Sequence, residues 1–344
     1  MSGRRCRIGC APMADEIPHP RDVFRLQGHA AAEEAFEASR ARGRLHHAWL
    51  LTGPEGVGKA TFAYRAARRL LGAAPAPDYG ILGADPADPV SRQMMARSHP
   101  DILVLERVGE DGKPRKVIPV DEARKLSEFF SKSPASAPHR VAIIDAADDL
   151  NANSANAVLK TLEEPPPSGV LLLVSHSPGR LLPTIRSRCR RLAFHGLPEA
   201  ETAAFVQAHT QANAEDAIRL ARMSGGAPGR AWALANAGAV AIDDAAKELL
   251  RDLPKIDEAA ALSLADRFRG GEGANQFNLL FERLAERVHA QVLAQAHEGY
   301  GALDRWASAW ETLQRLPRDV EAVNLDRTDA LFTALSELRD AARA

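Results

Sequence analysis

The chain has 344 residues, 45% hydrophobic and 26% charged, enough to bury a core and form two or three domains, which excludes a disordered polymer. Forty-four Lys and Arg face forty-five Asp and Glu, a formal charge of -1, so no global attraction to nucleic acid or membrane operates and any DNA contact must be local or borrowed from partners. Three cysteines, Cys6, Cys10 and Cys189, cannot staple a chain of this size and lack zinc-finger spacing, which indicates a reducing compartment.

The N-terminus is basic but has no apolar stretch suited to a signal peptide, and no later run is long enough to span a membrane, so the expected location is cytoplasmic. Residues 1–20 read as a disordered or over-called N-terminus, with Met13 the expected native start.

From Val23 to Leu197, short apolar runs alternate with helical patterns, the rhythm of an α/β domain with a parallel sheet covered on both faces. The predicted strands are Ala48–Thr52, Ile102–Leu105, Val141–Asp145 and Val170–Ser175, each too apolar to be half-exposed. Residues 74–89, rich in Ala, Pro, Gly and Asp, predict a loop. Ala155, Val158, Leu159 and Leu162 fall on one helical face after an Asn151 cap, and Pro165 to Pro167 must end that helix.

After Pro198 the strand signal stops. Three short helices are predicted at Glu199–Ala208, Glu215–Met223 and Gly229–Ala237, followed by long helices from about Asp243. Phe277, Leu280, Phe281, Leu284 and Val288 form one apolar stripe, which reads as bundle core. Leu303, Trp306, Trp310 and Leu313 form a second stripe, and Leu331, Leu335 and Leu338 a third. Together they offer more apolar surface than a small bundle needs, so the helical end is expected to assemble with partners.

Gly53-Pro54-Glu55-Gly56-Val57-Gly58-Lys59 lies between a predicted strand and a predicted helix, the context of a phosphate loop. Gly53, Gly56 and Gly58 let backbone N–H groups curl around phosphate oxygens, the helix N-terminus adds positive potential, and Lys59 reaches the outer phosphates. The next residue should carry a hydroxyl for magnesium, but it is Ala60. Thr61 comes one residue late, about 100° around the helix. Asp145 ends a Walker-B-like strand and reads either as a magnesium ligand or as a carboxylate capping the next turn. The position after it, where water-activating ATPases place Glu, is Ala146, and Asp148 lies too far along to replace it. The nucleotide-binding-like set Gly53, Gly56, Gly58, Lys59, Thr61 and Asp145 is therefore expected to be degenerate. Arg188, in Ser187-Arg188-Cys189, would by itself read as a solvated or carboxylate-paired arginine.

The ordered series His47–Leu51, the phosphate loop, His99-Pro100-Asp101, Ile118–Asp121, Asn156–Pro166 and Thr184–Cys189 resembles the clamp-loader branch of the AAA+ P-loop family, more narrowly its delta-prime subunits. The resemblance covers residues 21–240. It extends loosely into the helical end, where Asn324-Leu325-Asp326-Arg327 is similar to a collar motif. It implies an AAA+ domain over 21–197, a helical lid over 198–238 and a helical collar over 239–344. It also implies that Arg188 acts in trans as an arginine finger on ATP held by a neighbour, and that the chain's own site does not hydrolyse.

The implied partners are ATPase subunits of the gamma/tau type and the delta subunit, with indirect contact to the sliding clamp and primed DNA and none to membrane. No independent enzymatic activity is implied, only membership in a DNA polymerase holoenzyme. No cofactor is required, and weak ATP or ADP binding stays open. Many relatives carry a cysteine-rich zinc module before His-Pro-Asp; residues 72–98 contain no cysteine, so no zinc or other metal is expected. Where active relatives place a nucleotide-sensing arginine, this chain has Gly229, with Arg230 one step on. The rivals are an active AAA+ ATPase, which needs ligands absent at Ala60 and Ala146, and an autonomous DNA-binding module, which the charge balance disfavours.

Overall fold

The structure is a computed structural model and describes residues 17–108, 115–253, 255, 258–298 and 303–343. Cys6, Cys10 and Met13 lie outside the described residues, so the expected start is not addressed by it. The described chain forms two compact units, one up to Trp232 and one from Ala233.

In the first unit, α1 (Ala30–Ala41) precedes β1 (Ala48–Thr52), α2 (Lys59–Leu70), α3 (Pro89–Met95) and β2 (Ile102–Glu106). Then come α4 (Val120–Phe130), β3 (Arg140–Asp145), α5 (Ala152–Glu163), β4 (Gly169–Ser175), α6 (Pro183–Ser187) and β5 (Arg190–Ala193). The strands make one parallel sheet in the order β2-β3-β4-β1-β5. This is the α/β P-loop architecture expected, with the strand after which the loop falls lying inside the sheet.

Alternation along each strand explains the double-sided burial. Trp49, Leu51, Val141, Ile143, Leu172 and Val174 point to the face covered by Phe36 of α1 and Phe62, Ala66 and Leu70 of α2. Leu50, Ala142, Ile144, Leu171 and Leu173 point to the other, against Leu126 of α4, Val158 and Leu162 of α5, and Ile185 of α6. Asn151 caps α5, its side chain accepting from the Ser154 amide at 2.9 Å.

β5 was not among the predicted strands. It is an edge strand whose Arg190 and Arg191 are exposed, so it has no apolar signature. Its arginines are nonetheless tied inward. The Arg190 guanidinium lies 4.8 Å from the Trp49 ring centroid, and Arg191 Nε donates to Thr52 Oγ1 at 2.9 Å.

Ordered packing also begins earlier than residue 21. Pro20–Asp22 is a short 3-10 helix, His19 Nε2 lies 3.4 Å from the Glu106 carboxylate, and the His19 ring meets Tyr64 edge-on.

The segment expected as a lid contains α7 (Glu199–His209), α8 (Ala214–Met223) and α9 (Pro228–Asn236). The first unit ends inside α9, so α7, α8 and the first turn of α9 fold together with the sheet. Phe205, His209 and Trp232 stack in one aromatic group that ties α7 to α9.

The second unit holds α10 (Ala239–Arg251), α11 (Glu258–Asp266), α12 (Gly271–Glu298), α13 (Leu303–Val323) and α14 (Arg327–Ala342). Phe277, Leu280, Phe281, Leu284 and Val288 are buried, as the stripe predicts. Trp306, Leu313, Leu331, Leu335 and Leu338 are buried inside this unit, because α13 packs between α12 and α14, while Leu303 and Trp310 of the same stripe stay partly exposed. Asp326 caps α14 through the Thr328 and Asp329 amides, and Arg327 donates to the Phe268 and Gly270 carbonyls. The Asn324–Arg327 motif therefore joins helices within the unit.

Candidate functional site

The phosphate loop leaves β1 and enters α2, with Gly53, Gly56 and Gly58 all at positive φ. Two of them are also forced by close approach. A Cβ on Gly53 would lie 2.2 Å from the Phe194 carbonyl oxygen, and one on Gly56 would lie 2.3 Å from the Arg230 amide nitrogen. The loop is thus closed in by β5 on one side and by α9 on the other.

Lys59 does not extend outward. Its side chain is buried, and Nζ donates to the carbonyls of Gly53 at 2.6 Å and Pro54 at 2.5 Å. Burial lowers its pKa to about 8, against the opposing pull of Asp145, Glu55 and Asp148. Asp145 sits at the end of β3, and burial raises its carboxyl pKa despite nearby His176, His19 and Lys59.

Ala60 packs its methyl against the core next to α2, so the position where a metal-binding hydroxyl is needed is apolar, and Thr61 is half-buried one residue further round. Ala146 is buried. Asp148 is already engaged. Its carboxylate accepts from Ser175 Oγ at 2.9 Å and from the amides of His176 at 2.5 Å and Ser177 at 3.2 Å, tying the turn after β3 to the end of β4. These residues do not fit a hydrolytic magnesium–nucleotide centre, and no hydrolytic step is assigned to them. Among the described residues no group of three or more His, Cys, Asp or Glu side chains could hold a metal ion.

One neighbour of the loop, His29, escaped the sequence reading, and another, Gly229, entered it only as the place of an absent arginine. His29, in the left-handed region at the start of α1, places Nε2 3.0 Å from the Val57 carbonyl, and burial lowers its pKa. Gly229 donates its amide to the Gly56 carbonyl at 2.8 Å, and a Cβ there would stand 2.9 Å from that oxygen. An arginine at 229 would have no room in this arrangement. Neither contact carries a sequence signal, since both depend on chain segments that meet only in the fold.

His99-Pro100-Asp101 is structural. The fully buried Asp101 carboxylate accepts from the amides of Ala135, Ser136 and Ala137 at 2.8, 2.8 and 3.1 Å, with Arg140 Nε 3.5 Å away. It fixes the loop that leads into β3.

Arg188 stands well apart from these groups in the chain, as the C-cap of α6. Nη1 donates to the Thr184 carbonyl at 3.0 Å, and Nη2 lies 3.1 Å from Oε1 of Glu163 at the end of α5. Its side chain keeps 36% exposure. The carboxylate pairing that Arg188 suggests when read alone is thus present, and the guanidinium still faces solvent. Ile185 and Cys189 anchor it on either side in the core packed beneath α5.

The stretch from residue 28 to residue 198 matches the family model described as DNA polymerase III, delta subunit. The family domain contains the phosphate loop, Asp145 and Arg188, and it excludes Gly229, Arg230 and the whole second unit.

Relatives of the same domain include DNA polymerase III subunit delta' of Pseudomonas aeruginosa, 39% identical over 54% of this chain and 55% of that one. The delta' subunit of Escherichia coli is 32% identical over 58% of each chain. The gamma subunit of Buchnera aphidicola is 34% identical over 49% of this chain and 43% of its own. The chain thus spans about half the length of the curated relatives it matches. A DNA polymerase III gamma subunit-related protein of Thermotoga maritima superposes over 90% of this chain and 98% of its own, with a TM-score of 0.45 and 18% identity. No described helix is long and apolar enough to cross a membrane.

Proposed function

We propose that this chain is a delta-prime-type subunit of a bacterial clamp loader. It would be a non-hydrolysing wall of the ring that supplies Arg188 in trans to ATP held by a gamma/tau-type neighbour. In that ring, with a delta subunit, it helps load the sliding clamp on primed DNA. The observation that carries the reading is a pairing of opposites in one domain: a phosphate loop whose metal position is the packed methyl of Ala60, and a partly exposed Arg188 flanked by the buried Ile185 and the partly buried Cys189. A planar guanidinium on a fixed support stabilises charge spread over a transferring phosphoryl group. The chain's own residues thus contribute positioning and charge, while the nucleotide and its metal belong to the neighbour.

The similarity to gamma subunits favours a second reading, an active ATPase. Ala60 and Ala146 argue against it. The test is to assemble the loader with gamma/tau and delta subunits from the same source and measure DNA-stimulated ATP hydrolysis. Arg188→Ala should lower it strongly, whereas Lys59→Ala should do much less. The reverse ranking would favour the active-ATPase reading.

A further inference from the structure

Arg188 has two partners, one of backbone and one of side chain. The Thr184 carbonyl belongs to its own short helix and follows it wherever α6 goes. Glu163 belongs to a different element, the last residue of α5. The two helices are locked together beneath this contact, since Leu162 and Ile185 are buried in the same core, at 3% and 0% exposure. The carboxylate and the guanidinium are therefore held opposite one another by packing.

We infer that Glu163 is a positioning residue for Arg188, holding the guanidinium at the domain edge in the orientation that meets a neighbour's outer phosphate; this rests on the trans role proposed above. Stability is a poor reason for the pair. Glu163 is 51% exposed and Arg188 36%, and exposed pairs contribute only about 0–1 kcal/mol. Orientation is a better one. An arginine side chain has several free torsions, and two fixed acceptors on different elements remove most of that freedom before a neighbour arrives. The donors are not exhausted. A guanidinium has five N–H groups; the Thr184 bond uses one on Nη1 and Glu163 faces Nη2 as an ion pair, leaving Nε–H and at least one hydrogen on each terminal nitrogen for phosphate oxygens. The weakness of an exposed pair also lets Glu163 yield some of its hold when a phosphate of higher charge approaches.

The experiment uses the full chain assembled with its ATPase subunits, reading kcat and KM for ATP with Glu163→Ala, Glu163→Gln, Arg188→Ala and the Glu163→Ala/Arg188→Ala double variant. Glu163→Ala should lower kcat about 5- to 10-fold with KM for ATP nearly unchanged, as expected of a misplaced group that acts on the reacting atoms. Glu163→Gln, which keeps an acceptor oxygen, should restore at least half of the rate. In the Arg188→Ala background Glu163→Ala should cost nothing further. An unchanged or raised kcat for Glu163→Ala, no rescue by Gln, or an equal loss with Arg188 already removed would overturn the positioning role while leaving the trans arginine intact. No effect of Arg188→Ala itself would instead remove the proposed function, and the positioning role with it.

Discussion

The amide of Gly229 donates to the carbonyl of Gly56 across 2.8 Å, which sets the first turn of α9 directly on the phosphate loop. A helix N-terminus has amides without intrahelical partners, and here one of them is satisfied by the loop itself. The nucleotide-binding-like loop and the helical segment that follows the sheet are thereby joined through backbone atoms, with no side chain in between.

Gly56→Ala tests that junction. Its Cβ would collide with the Arg230 backbone, and φ is +73°, so both sterics and conformation oppose it. The expected loss is about 1–3 kcal/mol of stability, with faster proteolysis around the α8–α9 turn. Gly229→Ala, whose Cβ would come no nearer than 2.9 Å to the Gly56 backbone and needs no positive φ, should cost less. Urea denaturation and limited proteolysis of both variants check the order; a more damaging Gly229→Ala would contradict it.

The buried Lys59 should leave a signature in alkaline solution. Its folded pKa of about 8 lies below the unfolded value, so between pH 8 and about 10.4 the unfolded chain holds a proton that the folded chain has released. Stability from this group must therefore rise with pH across that window. Lys59→Met should lack the rise, and comparing Tm against pH for the two proteins isolates it from the other titrating groups. Parallel curves from pH 8 to 10 would show that the lysine is not desolvated as described.

Asp101 has the same sign of pH dependence, but in the acid range. Burial alone would raise its carboxyl pKa, but the amides of Ala135, Ser136 and Ala137 and the nearby Arg140 outweigh it and hold the group below the ordinary carboxylate range. Its stabilisation is complete above the unfolded pKa of about 3.9 and fades as pH falls through the lower folded value. Asp101→Asn should cost about 2–4 kcal/mol at pH 7, with the gap to wild type narrowing in acid. Chemical denaturation at pH 7 and pH 3 gives both numbers.

The isolated chain should hydrolyse no ATP above background, because neither Ala60 nor Ala146 can supply the required group. Binding is a separate matter, measured by titration calorimetry with ATP and ADP. Magnesium-dependent turnover that Lys59→Ala abolishes would refute the degenerate-site reading.

β1, β3 and β4 were legible because both of their faces are buried, which writes an uninterrupted apolar run into the sequence, and the half-buried edge strand β2 was legible because Ile102 to Leu105 is apolar all the same. β5 was not, since half of its four residues are the exposed Arg190 and Arg191, which leaves no apolar run to read. The phosphate loop was legible from its glycines, whose backbone demands cannot be met by other residues. The contacts of His29 with Val57, Gly229 with Gly56 and Glu163 with Arg188 were invisible, because each joins residues brought together only by tertiary packing. The apolar stripes of α13 and α14 say less, for a related reason. A stripe records that a face is covered and does not record by what.

Cys189 sits beside Arg188 in the chain, yet burial pushes its thiol up to about 12. The thiol therefore stays protonated at neutral pH, so alkylating reagents should react slowly at this position while α6 stays seated. The residue is thereby a built-in clock for that helix: the rate at which iodoacetamide modifies the Cys189 peptide, followed by mass spectrometry, counts how often the support under the arginine lifts from the core. Partners that grip the arginine should slow the clock.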